Sequence, residues 1–100
     1  MKWMICCYAG MTTSILGKKL EEEAASRGYD VTVQAFPVSE AADEAANMDL
    51  VLLGPHVRFV KPEIEKGANG TPIYVMAPQD FGTMNTKAIV DAALKLVSAA

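Results

Sequence analysis

Outside Cys6 and Cys7 the chain has no cysteine, and His56 is its single histidine. Two adjacent thiols build no disulfide framework, so a reducing compartment is the simplest setting. One histidine without a spaced cysteine pair makes no zinc site, and neither a metal nor a cofactor is expected. Basic clusters are missing as well: the formal charge is −3 and aromatic residues nowhere interleave with Lys or Arg, which argues against nucleic acid as a partner. No apolar run approaches the roughly 20 residues of a membrane helix. The opening MKWMICC has too short an apolar stretch for a secretory signal and no small-residue cleavage site. A cytoplasmic protein without a membrane segment of its own is expected.

What is present is enough for a packed core. With 51% hydrophobic residues in 100, a single domain spanning residues 1–100 is expected, and disorder is not. Four short apolar runs, at residues 3–7, 31–36, 49–53 and 72–76, end at Gly10 with a Thr-Thr-Ser cluster, Pro37, Gly54-Pro55 and Ala77-Pro78 in turn. They lack clean alternation, which predicts strands buried on both faces, as in a parallel sheet. Helical patterns fill the gaps. Leu16, Leu20 and Ala24 make a stripe within residues 13–27, with Glu21, Glu22 and Glu23 on the opposite side and Gly28 as C-terminal cap. Ser39 is the expected cap of a short Ala-rich helix. Residues 56–68 read as helical, opened or kinked at Pro62. Ile89, Val90, Ala93, Leu94 and Val97 line residues 86–98, capped by Asn85 or Thr86. The β-α alternation predicts a three-layer α/β domain, a four-stranded parallel sheet flanked by helices. Ligands of such sheets bind at the carboxyl ends of the strands.

The first strand ends at the cysteines. Residues 7–14, CYAGMTTS, then lead into a helix, with Gly10 allowing tight curvature and Thr12, Thr13 and Ser14 adding hydroxyl donors. Unpaired N–H groups and the positive dipole end of that helix make an anion cradle and stabilise a thiolate. A tight turn with a helix cap, beside two cysteines that are merely small core residues, is the plainer alternative.

What the loop lacks narrows its chemistry. A cysteine phosphatase needs an arginine six positions after the nucleophile; here that position holds Thr13 or Thr12, and residues 7–14 contain neither Arg nor Lys. Such a loop suits a carrier of phosphoryl groups better than a hydrolase. A phosphatase-like or arsenate-reductase-like enzyme, or a thiol redox or regulatory module, are the alternatives.

CCYAGMTTSILGKKLEEEA at residues 6–24 strongly resembles the start of the lactose/cellobiose-type enzyme IIB of the bacterial sugar phosphotransferase system (PTS), and AFPVSEA, DLVLLGPHVRF and PIYVMAPQDFGTMN extend the resemblance over nearly the whole chain. The resemblance implies a fold similar to low-molecular-weight tyrosine phosphatases. It implies a phosphotransferase whose cysteine takes a phosphoryl group from a histidine of enzyme IIA and gives it to a sugar of the cellobiose, β-glucoside or lactose class as the membrane enzyme IIC delivers it. The phosphorylated cysteine of the family precedes x-A-G-M, which is Cys7 here, and the family's phosphate loop falls on Tyr8, Ala9, Gly10, Met11, Thr12, Thr13 and Ser14. A free-standing subunit is expected to be monomeric. Tyr8 stands where serine is commoner, and His56 where glutamine is frequent.

Cys6 and Cys7 lie on opposite faces if both are extended, which makes Cys6 a buried structural thiol and Cys7 the nucleophile. His56, after the third strand, invites a Cys/His pairing; a solvent-facing histidine is the plainer reading. Asp80 reads as a turn former near the site or, alternatively, an acid.

Overall fold

The computed structural model describes the backbone of residues 1–6 and 10–99 and the side chains of residues 1–6 and 15–97. In chain order the elements are β1 (Lys2–Cys6), α1 (Gly10–Ser26), β2 (Thr32–Phe36), α2 (Val38–Ala45), β3 (Leu50–Leu53), a 3-10 turn (Pro55–Val60), α3 (Lys61–Ala68), β4 (Ile73–Val75), α4 (Pro78–Gly82) and α5 (Thr86–Ala99). Among the described residues, the four strands pair in parallel in the order β2-β1-β3-β4.

The central strands show why their runs do not alternate. Side chains of a strand point to opposite faces in turn, and here both faces are covered. Trp3, Ile5, Leu50 and Leu52 pack with Leu16, Leu20 and Ala24 of α1 and Ile89, Val90 and Ala93 of α5. Met4, Cys6, Val51 and Leu53 pack on the other side with Ala41 and Ala45 of α2 and Ile64 and Ala68 of α3. Every one of these strand residues is fully buried. The three-layer arrangement expected from the β-α alternation is therefore found.

Expectation and structure part at the edges. On β2, Thr32, Gln34 and Ala35 are exposed, because an edge strand has no neighbour on one side. The Thr32 N–H donates to the Met1 carbonyl, so the next N–H points outward. Glu21, expected on the solvent side of α1, wraps down to meet it: the Val33 N–H donates to the Glu21 carboxylate at 2.7 Å. An acidic side chain thus closes a sheet edge that would otherwise offer an unpaired donor.

The helix ends follow elementary capping rules, with one correction. Gly28, at φ +87°, closes α1: its N–H donates to the Ala25 carbonyl and that of Tyr29 to Ala24, both at 3.0 Å. Ser39 does not cap α2. The helix opens two residues earlier, with Pro37 in the extended cap position (φ −69°, ψ 156°) and no side-chain bond. The fixed φ of proline holds the extended conformation that a cap needs, and Ser39 falls inside the helix. Pro62 stands in the first turn of α3, where its missing N–H costs nothing. Asn85 caps α5, its side-chain oxygen accepting the Ala88 N–H at 3.4 Å. The short α4 opens with Pro78 and has no counterpart among the expected helices, since five residues are too few to show a period.

Candidate active site at the carboxyl edge of the sheet

The strand order locates the site. From β1 the chain moves to β2 on one side and returns to β3 on the other, so the topological switch lies between β1 and β3. A crevice opens outside the carboxyl ends of strands at such a point. Cys6 ends β1 fully buried, and its carbonyl accepts the Gly54 N–H at 3.1 Å. Gly54 leads the 3-10 turn, and its own carbonyl accepts the Val57 N–H at 3.1 Å. The exit of β3 is therefore tied to the residue that precedes Cys7.

Cys7, Tyr8 and Ala9, and the side chains of Gly10, Met11, Thr12, Thr13 and Ser14, lie outside the described residues. The backbone does correct one boundary. The sequence predicts a loop through residue 14 and a helix from residue 13, whereas α1 opens at Gly10. Packing of Leu16 and Leu20 into the core outweighs the weak helix preference of Thr12, Thr13 and Ser14. Only residues 7–9 thus connect the end of β1 to α1, whose first N–H groups have no partner within the helix.

The ends of β3 and β4 bring together residues that the sequence offers separately. His56 is exposed on the 3-10 turn, and its ring lies 5.6 Å from that of Phe81, tilted by 55°. Phe81 and Tyr74 pack on the core cluster shared by α1 and α5. Burial pushes the Tyr74 phenol above its ordinary 10.0, and the negative charge of Asp80 adds to the effect. Asp80 is thus near enough to Tyr74 to matter electrostatically. Tyr74 was missed in the sequence because it sits inside an apolar run and looks like core. Among the described residues no three His, Cys, Asp or Glu side chains gather as metal ligands do. Nor is any helix long and apolar enough to cross a membrane.

The Tyr74 environment has a consequence in alkali. The folded chain holds this proton to higher pH than the unfolded chain does, so its stabilising effect is complete below about pH 10 and is lost as pH rises through the folded value. Tyr74→Phe should flatten the alkaline fall of the melting temperature, and Asp80→Asn should lessen it. Thermal melts followed by circular dichroism from pH 8 to 11 check both.

The family described as "PTS system, Lactose/Cellobiose specific IIB subunit" matches residues 2–92. The chain belongs to this IIB family. Curated relatives agree along their length. The galactose-specific EIIB component of Lactococcus lactis subsp. cremoris is 35% identical over 101 residues, covering 94% of each chain. The oligo-beta-mannoside-specific EIIB component of Bacillus subtilis is 31% identical over 98 residues, covering 96% of this chain and 95% of that protein. Among solved structures, the cellobiose-specific phosphotransferase IIB component of Borrelia burgdorferi superposes with a TM-score of 0.77 at 31% identity, over 99% of this chain and 93% of that one. The lactose-specific IIB domain of Streptococcus pneumoniae shares the fold, with a TM-score of 0.81 at 19% identity over 96% of each chain. As a IIB family member the chain has the expected fold, like that of low-molecular-weight tyrosine phosphatases, and it is a sugar-PTS component of the phosphotransferase class.

Proposed function

We propose that this IIB chain carries phosphoryl groups as a phosphocysteine at Cys7. The Cys7 thiolate attacks the phosphorus of a phosphohistidine on enzyme IIA; an S–P bond forms as the N–P bond breaks, and the imidazole leaves with the electron pair. A sugar hydroxyl, presented by enzyme IIC, then attacks the same phosphorus. Its proton passes to solvent or a base, and the thiolate leaves. Tyr8, Ala9, Gly10, Met11, Thr12, Thr13 and Ser14 form the phosphate-holding segment. Residues 1–100 act as one IIB domain in the cytoplasm, meeting the membrane only through enzyme IIC.

The observation that carries this reading is the junction at the switch point, where β1 ends at buried Cys6 and α1 opens only four residues later at Gly10. A cysteine in that span lies within reach of a helix N-terminus, which stabilises a thiolate and an anion alike. Residues 7–14 carry no Arg or Lys, which favours holding a phosphoryl group over hydrolysing it. The relatives are named for galactose, cellobiose and oligo-beta-mannoside, which supports a sugar acceptor of the cellobiose, β-glucoside or lactose class. Incubation with phosphorylated enzyme IIA should raise the intact mass by one phosphoryl group. An unchanged mass with cognate donors would sink the proposal.

Cys6 has a different part. It is fully buried among Met4, Val51 and Leu53 on the α2/α3 face. Cys6→Ala should remain a full phosphoryl acceptor and lose about 1 kcal/mol of stability through the small void it leaves. Urea melts beside the same mass assay check this.

A further inference from the structure

We propose that Met84 is a site of oxidation by peroxides, and that its sulfoxide loosens the joint between α4 and α5. Met84 is a backbone outlier. Among the described residues, the left-handed region holds Gly28, Gly70, Asn69 and Met84. Glycine and asparagine enter that region routinely, whereas a methionine there brings its Cβ against the following carbonyl oxygen. Met84, at φ +52°, stands just past the end of α4. Its N–H donates to the Phe81 carbonyl at 3.3 Å, and that of Asn85 to the Asp80 carbonyl at 2.8 Å. This is the two-bond helix ending that glycine usually closes. A strained residue persists only where its surroundings hold it.

What holds Met84 is its side chain. It packs on the core cluster shared by α1 and α5, yet it is only partly buried and lines an open groove beside Lys19 and Glu22 of α1 and Thr86 of α5. The other methionines differ. Met4, Met48 and Met76 are buried, and Met1, though exposed, packs in neither core cluster; the side chain of Met11 lies outside the described residues. Among the described residues, Met84 alone joins access from solvent to a packing contact with the core. The chemistry is a two-electron oxygen transfer. A lone pair of the thioether sulfur attacks one oxygen of hydrogen peroxide; an S–O bond forms as the O–O bond breaks, and the released hydroxide takes up the remaining proton and leaves as water. Sulfur is oxidised and peroxide is reduced. The polar sulfoxide fits poorly against an apolar cluster, so the packing that offset the backbone strain is lost and the turn relaxes. Both neighbours feel it: Phe81, set against the ring of His56, and Asn85, whose side-chain oxygen caps α5 by accepting the Ala88 N–H at 3.4 Å. A methionine sulfoxide reductase, drawing on a dithiol, reverses the step.

The test treats the full chain with increasing hydrogen peroxide, then with dithiothreitol so that reversibly oxidised thiols return, and reads it by peptide mass mapping and thermal melts. Oxygen should appear on Met84 well before Met4, Met48 or Met76, and the melting temperature should fall by about 5 °C or more in step with it. Met84→Leu keeps the apolar body and offers no thioether; it should melt near the parent chain and hold that temperature through the same treatment. Met84→Gln, similar in length and polar like a sulfoxide, should melt low without any peroxide. Four results would each overturn the proposal: oxygen mapped first to the buried methionines, a melting temperature that stays level as Met84 is oxidised, an equal fall in the Met84→Leu chain, or a Met84→Gln chain as stable as the parent.

Discussion

Cys7→Ser should fold as the parent chain does and accept no stable phosphoryl group from enzyme IIA. A free thiol near its ordinary pKa of about 8.5 is already partly thiolate at neutral pH, and proximity to a helix N-terminus increases that fraction. A serine hydroxyl is essentially never ionised there, and no histidine or lysine lies within residues 7–14 to take its proton. The rate of acceptance should drop on the order of a thousandfold or more. Three measurements share the burden: intact mass after incubation with the donor, peptide mapping of the phosphoryl group, and alkylation at neutral pH. Alkylation should reach Cys7 first, because Cys6 is fully buried. A phosphoryl group mapped to Cys6 would overturn the assignment of the nucleophile.

Gly67→Ala should be the most damaging small change to stability. Gly67 lies in α3 where that helix crosses α2, and a methyl group added there would run into the carbonyl oxygen of Ala42 and sit 3.0 Å from its carbon. Both are backbone atoms, so no rotamer change can make room, and the helices must move apart. Overpacking of this kind costs about 1–3 kcal/mol, and it outweighs the roughly 1 kcal/mol that alanine gains over glycine inside a helix. Gly17→Ala is the informative contrast. Its added methyl would meet Val33 Cγ1 at 3.2 Å, the end of a half-buried side chain that can give way. The Gly17 variant should melt within a few degrees of the parent. The Gly67 variant should melt lower by roughly 4–8 °C for each kcal/mol lost.

Neither glycine declares its role in the sequence. Gly67 reads there as one weak position in a helix interrupted near Pro62, because the constraint comes from α2, 25 residues away in the chain. The same division runs through the rest of the molecule. The four strands were legible because each is a short apolar run stopped by glycine or proline, and the C-terminal cap at Gly28 because it needs a left-handed residue. The start of α1 was misjudged by three residues, since Thr12, Thr13 and Ser14 look like a loop when the core contacts of Leu16 and Leu20 are unseen. Pro37 displaced Ser39 as the cap of α2 for reasons of backbone angle that side-chain chemistry does not announce. At the site, the buried character of Cys6 could be read from its strand. The meeting of His56 with Phe81 could not, for it depends on β3 and β4 lying side by side.

The central place of β1 also bears on how the chain acquires its structure. Lys2 pairs with Thr32 on one side, about 30 residues on, while its N–H reaches Asp49 at a separation of 47 residues on the other. The strand that leads to Cys7 therefore depends on long loop closures, whose entropic cost falls due before the packing that rewards it. A chain released before Leu53 would present β1 with at most one of its two partners, leaving Trp3, Met4, Ile5 and Cys6 uncovered along one edge. Competence in phosphoryl transfer should thus emerge late and all at once during refolding, when the sheet closes around its first strand.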